Sequence, residues 1–275
     1  MDTDSTVVRH YSTGGLEQKL LTGLRTMGRD PNHLSSDDLM GADQFHIGGA
    51  EAAEQLARDI GLGPGNTVLD LGCGIGGPAR LFAQKLGAQV HGVDITPEFI
   101  EVANSLTRRC GLSDQVSFTN ASATDLPFAT GEFDAATMLH VGMNIEDKAA
   151  VFGEAARVVR HGGMFAIFDV MQLGQEEPDF PLPWASGPQM SFVAPPLAYS
   201  DLLEAAGFEV VSERNMLKSA VEFMERAQSR AAQNGPPPIG IHLVLGPEGA
   251  VRMGNLLTAF RSGALAPIEI LSRRS

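Results

Sequence analysis

From Asn66 onward the chain alternates short apolar runs with longer segments whose apolar positions recur at helical spacing. That alternation belongs to a parallel sheet with helices packed on its faces. Residues 67–72, TVLDLG, read as a strand, and residues 77–87, GPARLFAQKLG, as the helix behind it. Residues 88–95, AQVHGVDI, give the next strand. A helix then opens on Thr96-Pro97, with Thr96 at the N-cap and the proline at the first helical position, where an N–H is not needed. Residues 115–120 form a third strand. Residues 133–140, FDAATMLH, are almost continuously apolar, as a strand buried on both faces must be. The stretch 146–163 reads as an amphipathic helix stopped by Gly162-Gly163, and 164–171 as another buried strand. Residues 197–215 supply one more helix and strand, and 264–274 the last strand.

Three segments fall outside this rhythm: the N-terminal region, residues 172–196 and residues 216–263. The middle one, rich in Pro, Trp, Met and Phe, is too long and too apolar for an exposed turn. Loops and insertions at the carboxyl edge of an open α/β sheet build its ligand site, so all three are expected to form a cap there. The expected division is an N-terminal cap region over 1–56, a cofactor-binding core over 57–171, a substrate-cap insertion over 172–196 and a continuation of the core over 197–215. A helical cap insertion over 216–263 and a final strand over 264–275 complete it.

Composition narrows the partners. A formal net charge of −13, from 33 acidic and 20 basic residues, argues against nucleic acid, which is bound through clustered cations. The two cysteines, Cys73 and Cys110, lack metal or redox spacing, and a reducing cytoplasm is the simplest expectation. No apolar run approaches the ~18 residues of a membrane span, so no membrane partner is expected. No metal site is expected either, because no His/Cys/Asp cluster has ligand spacing.

The chemistry centres on residues 66–77, NTVLDLGCGIGG. Gly72, Gly74 and Gly77 match G-x-G-x-x-G, with Asp94 at the end of the following strand, the spacing of a dinucleotide site. Asp70, two residues before the first glycine, changes the expected ligand. Its carboxylate would repel a pyrophosphate but attract an ammonium group or fix the turn by hydrogen bonds. A nucleoside cofactor without phosphates and with positive charge, such as S-adenosylmethionine, fits that description.

VLDLGCGIGG, VHGVDITPEFI, DLPFATGEFDAATMLHVGMNI and RVVRHGGMFAIFDVM, taken in this order, resemble the successive motifs of the class I S-adenosylmethionine-dependent methyltransferases over residues 60–171. ADQFHIGGAEAAEQLA and FPLPWASGPQMSF are similar to bacterial small-molecule methyltransferases of the sarcosine/dimethylglycine type. The same layout occurs in natural-product and tocopherol-type C-methyltransferases. The resemblance implies a Rossmann-like α/β fold: a seven-stranded mostly parallel sheet with helices on both faces, its last strand antiparallel. It further implies that Asp70 and the backbone of Gly72, Gly74 and Gly76 surround the methionine part of the cofactor. Asp94 would hold both ribose hydroxyls, Ile95 would pack on the adenine, and Ala123 would serve through its backbone. Ser122 stands where the family usually places an acid beside the adenine amino group.

His140 ends the fourth strand where it would face the sulfonium, and is the candidate catalytic residue. It reads equally as a general base, a substrate hydrogen-bonding group or a structural histidine. Tyr11, Gln44, Phe45, His46, Met143, Asn144, Trp184, Met190 and Phe192 are the candidate substrate contacts. Asn144 reads better as the cap of the helix near Glu146. Trp184, Met190 and Phe192 form either an acceptor pocket or the glue between cap and sheet. The expected activity is methylation of a small-molecule acceptor, with nitrogen slightly preferred. The alternatives are C- or O-methylation of a larger apolar natural product, and a non-catalytic S-adenosylmethionine-binding module. Self-association is left open.

Overall fold

The strands β1 (Thr67–Leu71), β2 (Gln89–Asp94), β3 (Val116–Asn120), β4 (Phe133–Leu139), β5 (Val159–Gln172), β6 (Phe208–Asn215) and β7 (Leu265–Arg274) form one sheet in the order β3-β2-β1-β4-β5-β7-β6. Only β7 runs antiparallel to its neighbours β5 and β6. The computed structural model describes residues 3–12 and 14–275; Met1, Asp2 and Thr13, part of the expected N-terminal cap region, lie outside the described residues.

The central strands are apolar on both faces because both faces are covered. On β1, Leu69 and Leu71 enter one core cluster and Val68 the other. On β4, Ala136 and Met138 face the first cluster while Ala135 and Leu139 face the second. Chain order reverses between β1 and β4, which pair in parallel from Val68 beside Ala135 to Leu71 beside Met138. That reversal opens a crevice beyond their carboxyl ends, the usual place for a ligand.

Four helices precede the sheet: α1 (Thr3–Tyr11), α2 (Leu16–Thr26), α3 (Ser36–Asp43) and α4 (Gly49–Asp59). Helices α5 (Gly77–Leu86), α6 (Pro97–Arg109), α7 (Lys148–Val158) and α8 (Pro196–Ala205) connect its strands. Between β6 and β7 lie α9 (Leu217–Asn234), the short α10 (His242–Leu245) and α11 (Gly249–Ser262). The leucines of α2 share a cluster with Phe99, Val102 and Leu106 of α6 and with Ile239 and Val244, so the N-terminal helices and the 216–263 segment meet over the sheet edge. Arg80 on α5 ties this layer together. Its guanidinium donates to Asp43 Oδ2 of α3 at 2.9 Å and to Thr107 Oγ1 of α6 at 3.1 Å, all out of contact with water.

Two local expectations are corrected. The helix expected over 146–163 ends at Val158, not at the glycine pair, because Val159 already pairs with Phe133 and β5 runs through both glycines. Its cap is Asp147, whose carboxylate accepts from Ala150 N at 2.9 Å; Asn144 instead sits in a separate turn of 3-10 helix. Thr96 does occupy the N-cap of α6, but its side chain caps nothing, and its own N–H goes to Asp94.

Candidate functional site

A cavity of about 1080 Å³ lies beyond the carboxyl ends of β1, β2, β3 and β4. Its inner wall is local in sequence. Gly72 and Gly74 follow β1, both with positive φ, at +70° and +53°. A side chain at Gly72 would strike the methyls of Val141, and one at Gly74 would come within 3.2 Å of the Phe45 ring. The turn therefore needs glycine for conformation and for room. Asp94 ends β2 and stiffens the turn from the side: Gly74 N donates to Oδ2 at 3.0 Å and Thr96 N to Oδ1 at 2.8 Å. Ile95, Ser122 and Ala123 complete this wall.

Asp70 and Gly76 lie behind the wall rather than in it. Gly76, at φ +83°, starts α5. Asp70 is 1% exposed; Oδ1 accepts from Thr137 Oγ1 at 2.9 Å, while Oδ2 has no hydrogen-bond partner in the protein. Burial pushes its carboxyl up to about 7, against the Thr137 hydrogen bond and with some help from the Asp94 charge. Burial also pushes the Cys73 thiol well up, as suits an inert filler in the turn.

His140 follows β4 in a left-handed backbone conformation, φ +55°, that a non-glycine residue adopts at a cost. A 2.7 Å hydrogen bond from its N–H to Phe168 O holds it there. Its Nε2 is buried without a partner in the protein. Burial, and then the nearby His46, hold the imidazole well below its usual value, so it is neutral. The His46 ring centroid lies 6.2 Å away. Burial pushes His46 down to about 4 as well. His46 Nε2 meets Gln44 Oε1 at 3.0 Å, and Gln44 Nε2 donates to Asp43 Oδ1 at 3.2 Å. Phe45, His46 and Gln44 thus line the cavity as one strut hung from the buried Asp43–Arg80 pair.

The outer wall is assembled from distant segments. Tyr11 OH donates to Asn144 Oδ1 at 3.2 Å, and its ring packs 5.8 Å from that of Phe99. Met143, Asn144 and Trp184 line the cavity; Met190 and Phe192 do not. Trp184, 2% exposed with Nε1 donating to Ser191 Oγ at 3.0 Å, also belongs to the cluster joining the 172–196 segment to α9 and α11. Met190 only packs against that cluster, and Phe192 is held by its backbone, whose N–H donates to Met143 O at 2.9 Å and whose carbonyl accepts from Lys148 Nζ. The far lobe is mainly apolar, with Phe223, Ala227, Ile241, Val244, Met253 and Leu256, and it also carries Arg230, Asn234 and His242.

Two groups escaped the sequence reading. Asp4, in the first turn of α1, lines the cavity beside Ser122; nothing in the polar N-terminal sequence marks it. Asp169, Tyr199 and Lys148 lie behind the Gly142–Asn144 turn, with Tyr199 OH donating to Asp169 Oδ2 at 2.6 Å. Burial pushes Asp169 up to about 6. An aspartate inside an apolar strand, FDVM, was the available signal for that network. No described helix is long and apolar enough to cross a membrane.

Residues 69–167 match the family model of a methyltransferase domain. The erythromycin 3''-O-methyltransferase of Saccharopolyspora erythraea is 32% identical over 183 residues, 62% of this chain and 60% of that protein. An O-methyltransferase of Penicillium expansum is 30% identical over 261 residues, covering 81% of this chain and 92% of the relative. With the first curated relatives the chain shares a segment of little more than half their length. Among solved structures, the geranyl diphosphate C-methyltransferase of Streptomyces coelicolor A3(2) superposes over 100% of this chain and 98% of its own, with a TM-score of 0.72 at 17% identity, a likeness of fold.

Proposed function

We propose that this chain, which belongs to the class I S-adenosylmethionine-dependent methyltransferases, methylates a hydroxyl group on a bulky, largely apolar small molecule. The residues present fit the cofactor. The glycine turn presents backbone without side chains at the cavity wall, and the orphaned Asp70 oxygen behind it favours a cation over a phosphate. Gly72 and Gly74 would approach the methionine part, Asp94 would accept from the ribose hydroxyls through the lone pairs its two backbone donors leave free, and Ile95 and Ala123 would flank the base. Gly76 would act indirectly, by setting the start of α5. When bound, S-adenosylmethionine supplies a methyl on a positively charged sulfur, and that charge disappears on transfer.

The observation that carries the oxygen acceptor is His140: a neutral imidazole, held in a strained conformation, with an unpartnered Nε2 at the inner wall. His140 can orient a hydroxyl and take its proton at Nε2 without raising the net charge of the cavity. Burial opposes that protonation in the resting protein, so the proton moves only as the donor's charge is lost. The rest of the work is alignment and exclusion of water, which an already activated methyl chiefly requires.

The far lobe supports the size and polarity of the acceptor. At about 1080 Å³ the cavity reaches the upper end of the ~300–1,000 Å³ usual for small-molecule sites, which leaves room beyond a cofactor. Most of the lobe's lining is apolar side chain, glycine or proline and offers no partner to a small charged acceptor, Arg230 being its one Lys or Arg among the described residues. The larger apolar acceptor fits that chemistry better than the nitrogen acceptor suggested by the outer motifs. The 1–56, 172–196 and 216–263 segments are proposed as the substrate-side cap and the remainder as the cofactor-binding core.

The test is methyl transfer from labelled cofactor to a metabolite extract, by wild type and His140→Asn. Asparagine tolerates the left-handed backbone, so the substitution removes the base and keeps the turn. Label in an apolar, hydroxyl-bearing product is expected, with kcat reduced about 100- to 1,000-fold in the variant and cofactor affinity retained. Label confined to free amino acids, or an unchanged kcat, would reject the proposal.

A further inference from the structure

We infer that Asp4, delivered by the N-terminal helix, is the residue that recognises the exocyclic amino group of the cofactor's purine. The inference rests on reading this cavity as the S-adenosylmethionine site. With His140 at the end of β4 and Asp94 at the end of β2, a cofactor whose reacting end meets His140 and whose ribose meets Asp94 extends its base outward, to the loop after β3. Ala121, Ser122, Ala123 and Thr124 of that loop line the cavity.

A purine amino group is a hydrogen-bond donor and needs an acceptor there. Ser122 stands in the right place with its capacity already used. Its hydroxyl donates to Asp4 Oδ2 at 3.4 Å, while its oxygen lies 2.8 Å from Thr124 Oγ1 and accepts from Thr124 N at 3.4 Å. The Ser122 proton points the problem toward Asp4, whose carboxylate is acceptor-only and has several lone-pair sites. Among the described residues lining the cavity, Asp4 and Asp94 are the only carboxylates, and Asp4 is the one in contact with the loop after β3 through Ser122.

The helix that carries Asp4 is held across the cavity at its other end. Tyr11 OH donates to Asn144, His10 Nε2 meets Pro183 O at 2.9 Å, and the chain beyond α1 is fixed by Gly14 N and Leu16 N donating to Glu98 at 3.1 Å each. One nine-residue helix therefore touches the adenine end through Asp4 and the acceptor side through His10 and Tyr11.

Calorimetry with S-adenosylhomocysteine and with S-inosylhomocysteine, in which a carbonyl replaces the amino group, tests this on wild type, Asp4→Ala, Asp4→Asn and Ser122→Ala. Wild type is expected to prefer the adenosyl compound by about tenfold or more, since the carbonyl would face a carboxylate. Asp4→Ala should lose most of that preference, and Asp4→Asn should level or invert it because its amide N–H can donate to the carbonyl. Ser122→Ala should keep it. A preference that survives both Asp4 substitutions overturns the role of Asp4 and leaves the cofactor site standing. Absence of S-adenosylhomocysteine binding by the wild type overturns both.

Discussion

The two walls of the cavity are built in opposite ways. On the inner wall, the contacts that shape the turn join residues close in sequence: Gly74 to Asp94, 20 residues apart, and Thr96 to Asp94, two apart. On the outer wall the contacts join Arg252 to Leu182, 70 residues apart, Tyr11 to Asn144, 133 apart, and His10 to Pro183, 173 apart. The inner wall is mostly backbone and buried carboxylate, dictated by a strand-turn-helix unit; the outer wall is side-chain packing between segments that share no local motif. A donor common to many enzymes can be held by the first kind of surface. An acceptor particular to one enzyme has to be read by the second, where substitutions alter shape without disturbing the sheet.

The largest expected effect probes the inner wall. Asp94→Ala removes the proposed ribose acceptor and also strips Gly74 N and Thr96 N of their partner. With hydrogen bonds to a charged group worth about 1.5–3 kcal/mol each, S-adenosylhomocysteine affinity should fall at least ~100-fold. Asp94→Asn, which keeps the shape, should recover part of it. Near-wild-type affinity in a folded Asp94→Ala protein would remove Asp94 from the site. A smaller effect, confined to the other wall, is expected from Met253→Trp, which fills the far lobe from α11. The KM for the apolar acceptor should rise about 10- to 50-fold, in the range that hydrophobic pockets discriminate, while S-adenosylhomocysteine binds within twofold of wild type. Weakened cofactor binding in this variant would show that the two walls are not separable.

The same contrast explains what could be read from the sequence. The turn, Asp94 and the seven strands were legible because periodicity and a fixed spacing encode them locally. Where a local signal competed with a tertiary one, the tertiary one won. The Gly162-Gly163 stop yielded to the pairing of Val159 with Phe133, and the capping role read for Asn144 went to Asp147 once the chain between them had formed its own turn. On the outer wall composition alone was available. It grouped Trp184 with Met190 and Phe192, yet of the three only Trp184 lines the cavity, while Met190 packs against the cluster that holds Trp184. Asp4 was invisible because its partner, Ser122, lies 118 residues away.

The smallest expected effect tests whether the inner wall senses charge as well as shape. Asp70 ionises in the folded protein near pH 7 rather than near its ordinary 3.8, chiefly because it is buried. Between those values the native state holds a proton that the unfolded chain has released, so the stability of the ligand-free protein should fall as pH rises from 4 to 7. Affinity for the cationic cofactor should run the other way, because the ionised carboxylate is the form that favours a neighbouring positive charge. Going from pH 8 to pH 6 lowers the ionised fraction from about nine tenths to about one tenth, which limits the loss of affinity to roughly tenfold. Asp70→Asn keeps the bond from Thr137 and abolishes the charge, so both slopes should flatten together. If affinity keeps its pH dependence in Asp70→Asn while the stability slope disappears, the buried carboxylate serves the fold of the turn alone, and recognition of the donor rests on backbone shape and Asp94.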